Sequence, residues 1–140
     1  MKLVSDPDSL VELFNPDGWP RPHGYNNGVA ASGRMIFVAG QIGWNPTTGQ
    51  FESDDLVDQV AQALRNVIAV LAAGGTGPEH IVRMTWYVLD RGEYLVRASE
   101  IGRAYREIIG KHYPAMTAVE VSALIEARAK IEIEVTAVGQ

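Results

Sequence analysis

The sharpest hydrophobic pattern in the chain lies near its C-terminus. Ile131, Ile133 and Val135 alternate with Lys130, Glu132, Glu134 and Thr136, the period-two signature of a strand with one face buried. Residues 113–124 form a second β-prone run, separated from the first by the short connection 125–128. Sequence adjacency predicts that the two strands pair. Further upstream, residues 28–31 and 35–42 flank Ser32-Gly33-Arg34 and predict a β-hairpin, while residues 9–14 fit either a short strand or a helical turn.

Two segments follow a helical period instead. Leu56, Val60, Ala63, Leu64, Val67, Ile68 and Leu71 form an apolar stripe, with Asp58, Gln59, Gln62, Arg65 and Asn66 expected on the polar side. Ser53, Asp54 and Asp55 supply cap and first-turn oxygens, and Gly74-Gly75 ends the pattern. Residues 94–109 predict a second helix with Leu95, Ala98, Ile101, Tyr105, Ile108 and Ile109 inward, after a strand over residues 80–89. The predicted order is β-β-α-β-α-β-β, an α+β fold with two helices on one face of a single mixed sheet. Strands such as 35–42 are apolar on both sides, so the opposite sheet face needs a cover, which packing against further copies of the chain would supply.

Composition narrows the chemistry. A chain of 140 residues predicts one domain, here residues 25–140, behind an arm over residues 1–24 that carries four of the seven prolines, Pro7, Pro16, Pro20 and Pro22. Cysteine is absent, which excludes disulfides and thiolate catalysis. Twelve Lys and Arg against seventeen Asp and Glu give a formal charge of −5, with the basic residues scattered, so no nucleic-acid partner is expected. His23, His80 and His112 lack ligand spacing, so no metal is expected either. The N-terminus shows no apolar signal segment and no later run reads as a membrane span, so the expectation is a cytoplasmic protein with no membrane contact.

Several motifs together carry a resemblance: Gly24-Tyr25-x-x-Gly28-Val29, Phe37-Val38-Ala39-Gly40-Gln41-Ile42 with Asn45-Pro46-x-Thr48-Gly49, Gln59 to Asn66, and Tyr113-Pro114-Ala115 ahead of Glu132-Ile133-Glu134. In this order they resemble the reactive-intermediate deaminase family, also known as the YjgF or L-PSP proteins. The resemblance implies a chorismate-mutase-like fold, a homotrimer with a central barrel, and sites at the subunit interfaces. It implies hydrolysis of enamines or imines to keto acid and ammonia without a cofactor or metal. The family's water-positioning glutamate falls on Glu132 and its pocket tyrosine on Tyr25, with Gly40, Gln41 and Asn26 inside the matching motifs.

The family's carboxylate-binding arginine falls on Met116, and an asparagine of its preceding helix on Gly102. Trp44 follows Gly43 where the family has proline. The pocket is therefore more apolar and aromatic, which implies a substrate larger or less anionic than simple 2-imino acids; a guanidinium–carboxylate pair is worth about 2 kcal/mol. On residue type alone, Glu132 reads as one of several solvated carboxylates, Met116 as core, Trp44 as an interface or stacking aromatic, and Gln41 as a strand-bridging amide. Arg34, Arg83 and Arg128 are candidate substitutes for the missing cation. Two other functions fit the sequence: a non-catalytic trimeric binder of a small apolar metabolite, and an endoribonuclease, which the acidic charge and the lack of a His pair weaken.

Overall fold

The computed structural model describes residues 2–3 and 11–139. In chain order the strands are β1 (Lys2–Leu3), β2 (Val11–Phe14), β3 (Gly28–Ala31), β4 (Arg34–Ile42), β5 (Ile81–Val88), β6 (Ala115–Glu120) and β7 (Ile131–Gly139). The helices are α1 (Leu56–Ala73), α2 (Arg91–Val96) and α3 (Ala98–Ile108). The strands form two sheets, β1-β2-β3 and β4-β7-β5-β6. In the second, β5 and β6 run parallel while β7 runs antiparallel to both β4 and β5. This is the expected α+β class with a mixed sheet, and a parallel β5–β6 pair requires a long crossover, which α2 and α3 provide.

Three sequence expectations are corrected. No hairpin joins residues 28–31 to 35–42, because β3 pairs with β2 from the arm, Leu13 opposite Val29. The expected single sheet is therefore two, linked where Asn26 bridges Ala115 and donates its backbone N–H to Pro114 O at 3.0 Å. The last two strands do not pair either: β5 lies between them. The helix expected over 94–109 breaks at Arg97, and Leu95 is 55% exposed rather than inward. Of the expected arm elements, β2 is a strand, and Pro7, Ser9 and Leu10 lie outside the described residues.

β7 occupies the centre of its sheet, and its alternation is as the pattern predicts. Ile131, Ile133 and Val135 are buried under α1, with Leu64, Val67 and Leu71 facing them in one core. Trp86 and Met84 of β5 extend that core towards α3, where Tyr105 packs on Trp86 at 6.3 Å between ring centroids. By length and composition α1 could cross a membrane, contrary to the expectation of no such run, yet it is packed here as a core helix between the sheet and α3.

Two residues assigned by periodicity to the polar side of α1 are buried instead. Gln59 donates to Ser53 O at 3.1 Å and Arg128 O at 3.0 Å, and accepts from Lys130 N at 2.8 Å. Asn66 donates to Ile42 O and Trp44 O, both at 3.0 Å. These amides satisfy backbone groups in loops and at the end of β4, which is the condition for burying them. They clamp the end of β4 and the start of β7 to the same helix. At the N-terminus of α1, Asp55 accepts from Asp58 N at 3.1 Å and pairs with Arg97 at 2.8 Å, so the break between α2 and α3 supplies a cation to the cap.

Replacing Gln59 with Met keeps the volume and leaves three buried backbone groups without partners. The expected cost is roughly 3 kcal/mol, read as a lowered urea midpoint at unchanged slope. The Arg97 hydrogen bond, reinforced by the Asp58 N–H, lowers the Asp55 pKa. A carboxyl depressed on folding contributes stability above its unfolded value, and that contribution is lost as pH falls through the folded value. Asp55→Asn, which retains the cap oxygen, is therefore expected to flatten the stability loss below about pH 4 while lowering stability at pH 7. Denaturation midpoints of both proteins from pH 2 to 7 check this.

Candidate functional site

An open cavity of about 1650 Å³ lies between the arm, α3 and the β6 edge of the larger sheet. Tyr25, Asn26 and Met116, together with Gly102, reach it. Met116 pairs with Met84, which is fully buried, so its side chain lies on the helix side of the sheet. Tyr25 is 40% exposed, at the start of the segment that leads into β3. Asn26 serves the wall rather than the space: its amide donates to Tyr113 O and accepts from Asn15 at 2.9 Å.

The floor of the cavity is aromatic. Trp86 meets Tyr94 edge-on at 6.5 Å, and Tyr105 stacks on Tyr113 at 5.6 Å with 14° between planes. Burial raises the pKa of Tyr94, and more strongly that of Tyr105, whose hydroxyl donates to His112 O. Both stay neutral across the physiological range. Among the described residues, Trp86 Nε1 is a buried side-chain donor with no hydrogen-bond partner. At the rim, an atom added at the Cβ position of Gly102 would sit 3.2 Å from a terminal nitrogen of Arg106, so that guanidinium folds back over the glycine. Arg21, Arg106 and Lys111 line the cavity against the carboxylate of Asp17.

Glu132, Gly40, Gln41 and Trp44 do not reach this space. Glu132 pairs with Tyr87 and Ile42 on the sheet face opposite Met116. The register of β4 on β7 slips between Val38 and Gln41, a bulge that leaves Ala39 and Gly40 against Glu134. Glu132 fills the space beside Gly40: a Cβ there would stand 2.8 Å from its carboxyl carbon. Half-buried, it shows no hydrogen bond or ion pair among the described residues, whereas its neighbour Glu134 accepts from the Tyr87 hydroxyl at 2.6 Å, the main cause of the raised Tyr87 pKa. Gln41 donates to Ala39 O at 3.1 Å. Trp44 packs on Phe51 at 6.0 Å, with the Arg128 guanidinium 5.5 Å above the Phe51 ring.

Met116 and Glu132 thus lie on opposite faces of one sheet, with Tyr25 and Asn26 at the cavity beside the first and Gly40 beside the second, while Trp44 lies in the loop after β4 and Gln41 is in register with Ile133. Of the arginines weighed from sequence, Arg34 bonds Gly74 O and Arg128 bonds Asp54, whereas Arg83, opposite Thr136 in register and so on the Glu132 face, makes no side-chain hydrogen bond or ion pair among the described residues. Sequence reasoning missed Trp86, Tyr94 and Arg106. Gly102 inside a helical run was the available signal, since glycine there is costly unless something uses the space.

Comparison with known proteins places the chain within a family. The family model described as Endoribonuclease L-PSP matches residues 20–139. A human protein named 2-iminobutanoate/2-iminopropanoate deaminase is 30% identical over 105 residues, 75% of this chain and 73% of its own. A Yersinia pestis member of the Rid family, solved as a protein of unknown function, superposes with a TM-score of 0.82 at 30% identity, covering 92% of this chain and 98% of that one. Escherichia coli TdcF, solved with bound serine, superposes with a TM-score of 0.66 at 32% identity over 86% of this chain and 91% of that one.

Proposed function

We propose a function from one premise: the chain belongs to the Endoribonuclease L-PSP family, which includes the reactive-intermediate deaminases. It hydrolyses a reactive enamine or imine larger than the simple 2-imino acids named for its human relative. The observation that carries this reading is the state of Glu132. A general base needs a lone pair that the fold has not already used, and the Glu132 carboxylate lies over Gly40 without a hydrogen-bond partner among the described residues. Glu134, two residues on, is occupied by Tyr87.

The chemistry follows from that placement. An enamine is first protonated at carbon by solvent to give the iminium ion. Glu132 then takes a proton from water as the water oxygen bonds to the iminium carbon, which leaves a neutral carbinolamine. That proton passes to the carbinolamine nitrogen, the C–N bond breaks, the hydroxyl gives its proton back to solvent through Glu132 as the carbonyl forms, and ammonia leaves. Tyr25 bounds the space in which the substrate is held. A volume of about 1650 Å³ with Met116 in place of a guanidinium supports a bulky, conjugated substrate.

The separation of Tyr25 and Met116 from Glu132 supports a site built from two protomers. Met35 and Phe37, on β4, are 58% and 71% exposed, which favours a homotrimer packed sheet to sheet. In that assembly the Gly40–Glu132 group of one protomer completes the Tyr25–Met116 cavity of its neighbour. The endoribonuclease in the family's description gains no support from a formal charge of −5 or from His80 and His112, which bond Thr76 and Ile81 O separately.

The test is ammonia release from 2-iminopropanoate and from aromatic enamines and imines generated in situ. Wild type is expected to prefer the aromatic compounds, and Glu132→Gln to lose roughly a hundredfold or more in rate. Equal rates for wild type and Glu132→Gln across the panel would reject the reading. Gly40→Ala, whose methyl displaces the Glu132 carboxylate, is expected to lose comparable activity with a stability change of about 1 kcal/mol or less, because a flexible side-chain end gives way. Phe37→Glu places a charge in the proposed interface, and light scattering is expected to show monomer where wild type is trimer.

A further inference from the structure

The cavity beneath the arm contains two donors that the fold itself does not use, and they sit at different heights. Trp86, one of the residues that line the cavity, is 1% exposed, and its Nε1–H has no acceptor. An indole N–H shut away from water without a partner costs free energy in the empty protein, a cost that an acceptor atom on a bound molecule would remove. At the rim, Arg106 is exposed but not extended: its guanidinium lies over Gly102, on the same side of α3 one turn earlier. Any side chain at position 102 would compete for that space. Arg106 makes no hydrogen bond or ion pair among the described residues, in contrast to Arg34, Arg97 and Arg128.

The surroundings favour a flat anion. Arg21, Arg106 and Lys111 line the cavity together with Asp17, a local positive excess in a chain of formal charge −5. Between rim and floor the walls are the faces and edges of Trp86, Tyr94, Tyr105 and Tyr113. Such rings accept a planar conjugated body by stacking or edge contact. A guanidinium presents paired N–H groups that match the two oxygens of a carboxylate.

We infer that this cavity binds a planar, conjugated carboxylate, its acid group on Arg106 above Gly102 and an acceptor atom on the buried indole N–H of Trp86. Resting on the deaminase reading, this makes the substrate an aromatic or conjugated imino acid. The carboxylate anchor is then on α3 rather than at the strand position held by Met116, and the aromatic group occupies the cavity beside it.

Phenylpyruvate, the keto acid that hydrolysis of an aromatic imino acid would release, serves as the probe, with phenylacetone as its uncharged counterpart. Calorimetric titration of the full chain is expected to show saturable phenylpyruvate binding that Arg106→Gln weakens by about tenfold or more, with phenylacetone affinity unchanged by that substitution. Trp86→Phe, which removes the N–H and keeps an aromatic body, is expected to weaken phenylpyruvate by roughly threefold to tenfold. Because Arg106 is exposed, Arg106→Gln tests the anchor even if Trp86→Phe does not fold. Absence of phenylpyruvate binding to wild type, or equal affinities for wild type and Arg106→Gln, overturns the inference. The two readings fail separately. Arg106-dependent binding with hydrolysis indifferent to Glu132→Gln rejects the deaminase and keeps the anchor; Glu132-dependent hydrolysis with kcat/KM indifferent to Arg106→Gln does the reverse.

Discussion

The structure depends on the position of β7 between β4 and β5. A central strand has no free edge, so its odd-numbered residues from Ile131 to Val135 are fixed against α1 and its even-numbered ones are fixed on the other face. Glu132 therefore cannot turn towards the helix-side cavity without slipping the register, and a slip would put Ile131 and Ile133 in solvent. The same constraint makes the Tyr25–Met116 group and the Gly40–Glu132 group incompatible as one intramolecular site. Chemistry that needs both must recruit a second chain, and the exposed Met35 and Phe37 of β4 are apolar surface that a second chain would gain by burying.

That register is held from the helix side by two amides. Gln59 closes on Lys130 N just before β7 begins, and Asn66 closes on Ile42 O where β4 ends. Both strand ends flank the bulge that brings Gly40 against Glu132. A buried amide with every partner satisfied adds direction that an apolar residue cannot, because its bonds are lost if either loop shifts. The stiffness of the Glu132 environment thus originates in α1, whose polar residues look, in projection, as if they faced water.

Much of this was legible from the residues, and the gaps have physical causes. The 3.6 period and the oxygens of Ser53, Asp54 and Asp55, of which Asp55 is the cap, placed α1, and the alternation of β7 placed its core face. Pairing was harder, since neighbours in sequence are only the default partners in space. β5 is buried at Ile81, Met84, Trp86 and Val88 on one side and bears Thr85 and Tyr87 on the other, which suits a central position, so it separates β6 from β7. Gln59 and Asn66 were placed on the wrong side because periodicity assigns residues by type, whereas loop carbonyls can pull an amide inward. Family motifs put Met116 and Glu132 in one site, whereas the strand register places them on opposite faces of the sheet. The motifs could not supply Trp86, whose type reads as core, or Arg106, whose position reads as helix surface.

Gly102 and Met116 have to be considered together. Each is a loss on its own: a glycine inside a helix forfeits up to about 1 kcal/mol relative to alanine, and a thioether cannot hold an anion. Side by side on one cavity they have a joint effect, because Gly102 leaves room for the Arg106 guanidinium while Met116 adds an apolar surface below it. A cation at Met116 would bind an acid group deep in the cavity and leave the aromatic floor inaccessible to anything but a small molecule. In the inferred binding mode, with the cation at the rim, the cavity beside Trp86 is available for a ring. Size selectivity in that mode arises from where the charge sits, with no change to the strands that carry the rest of the site.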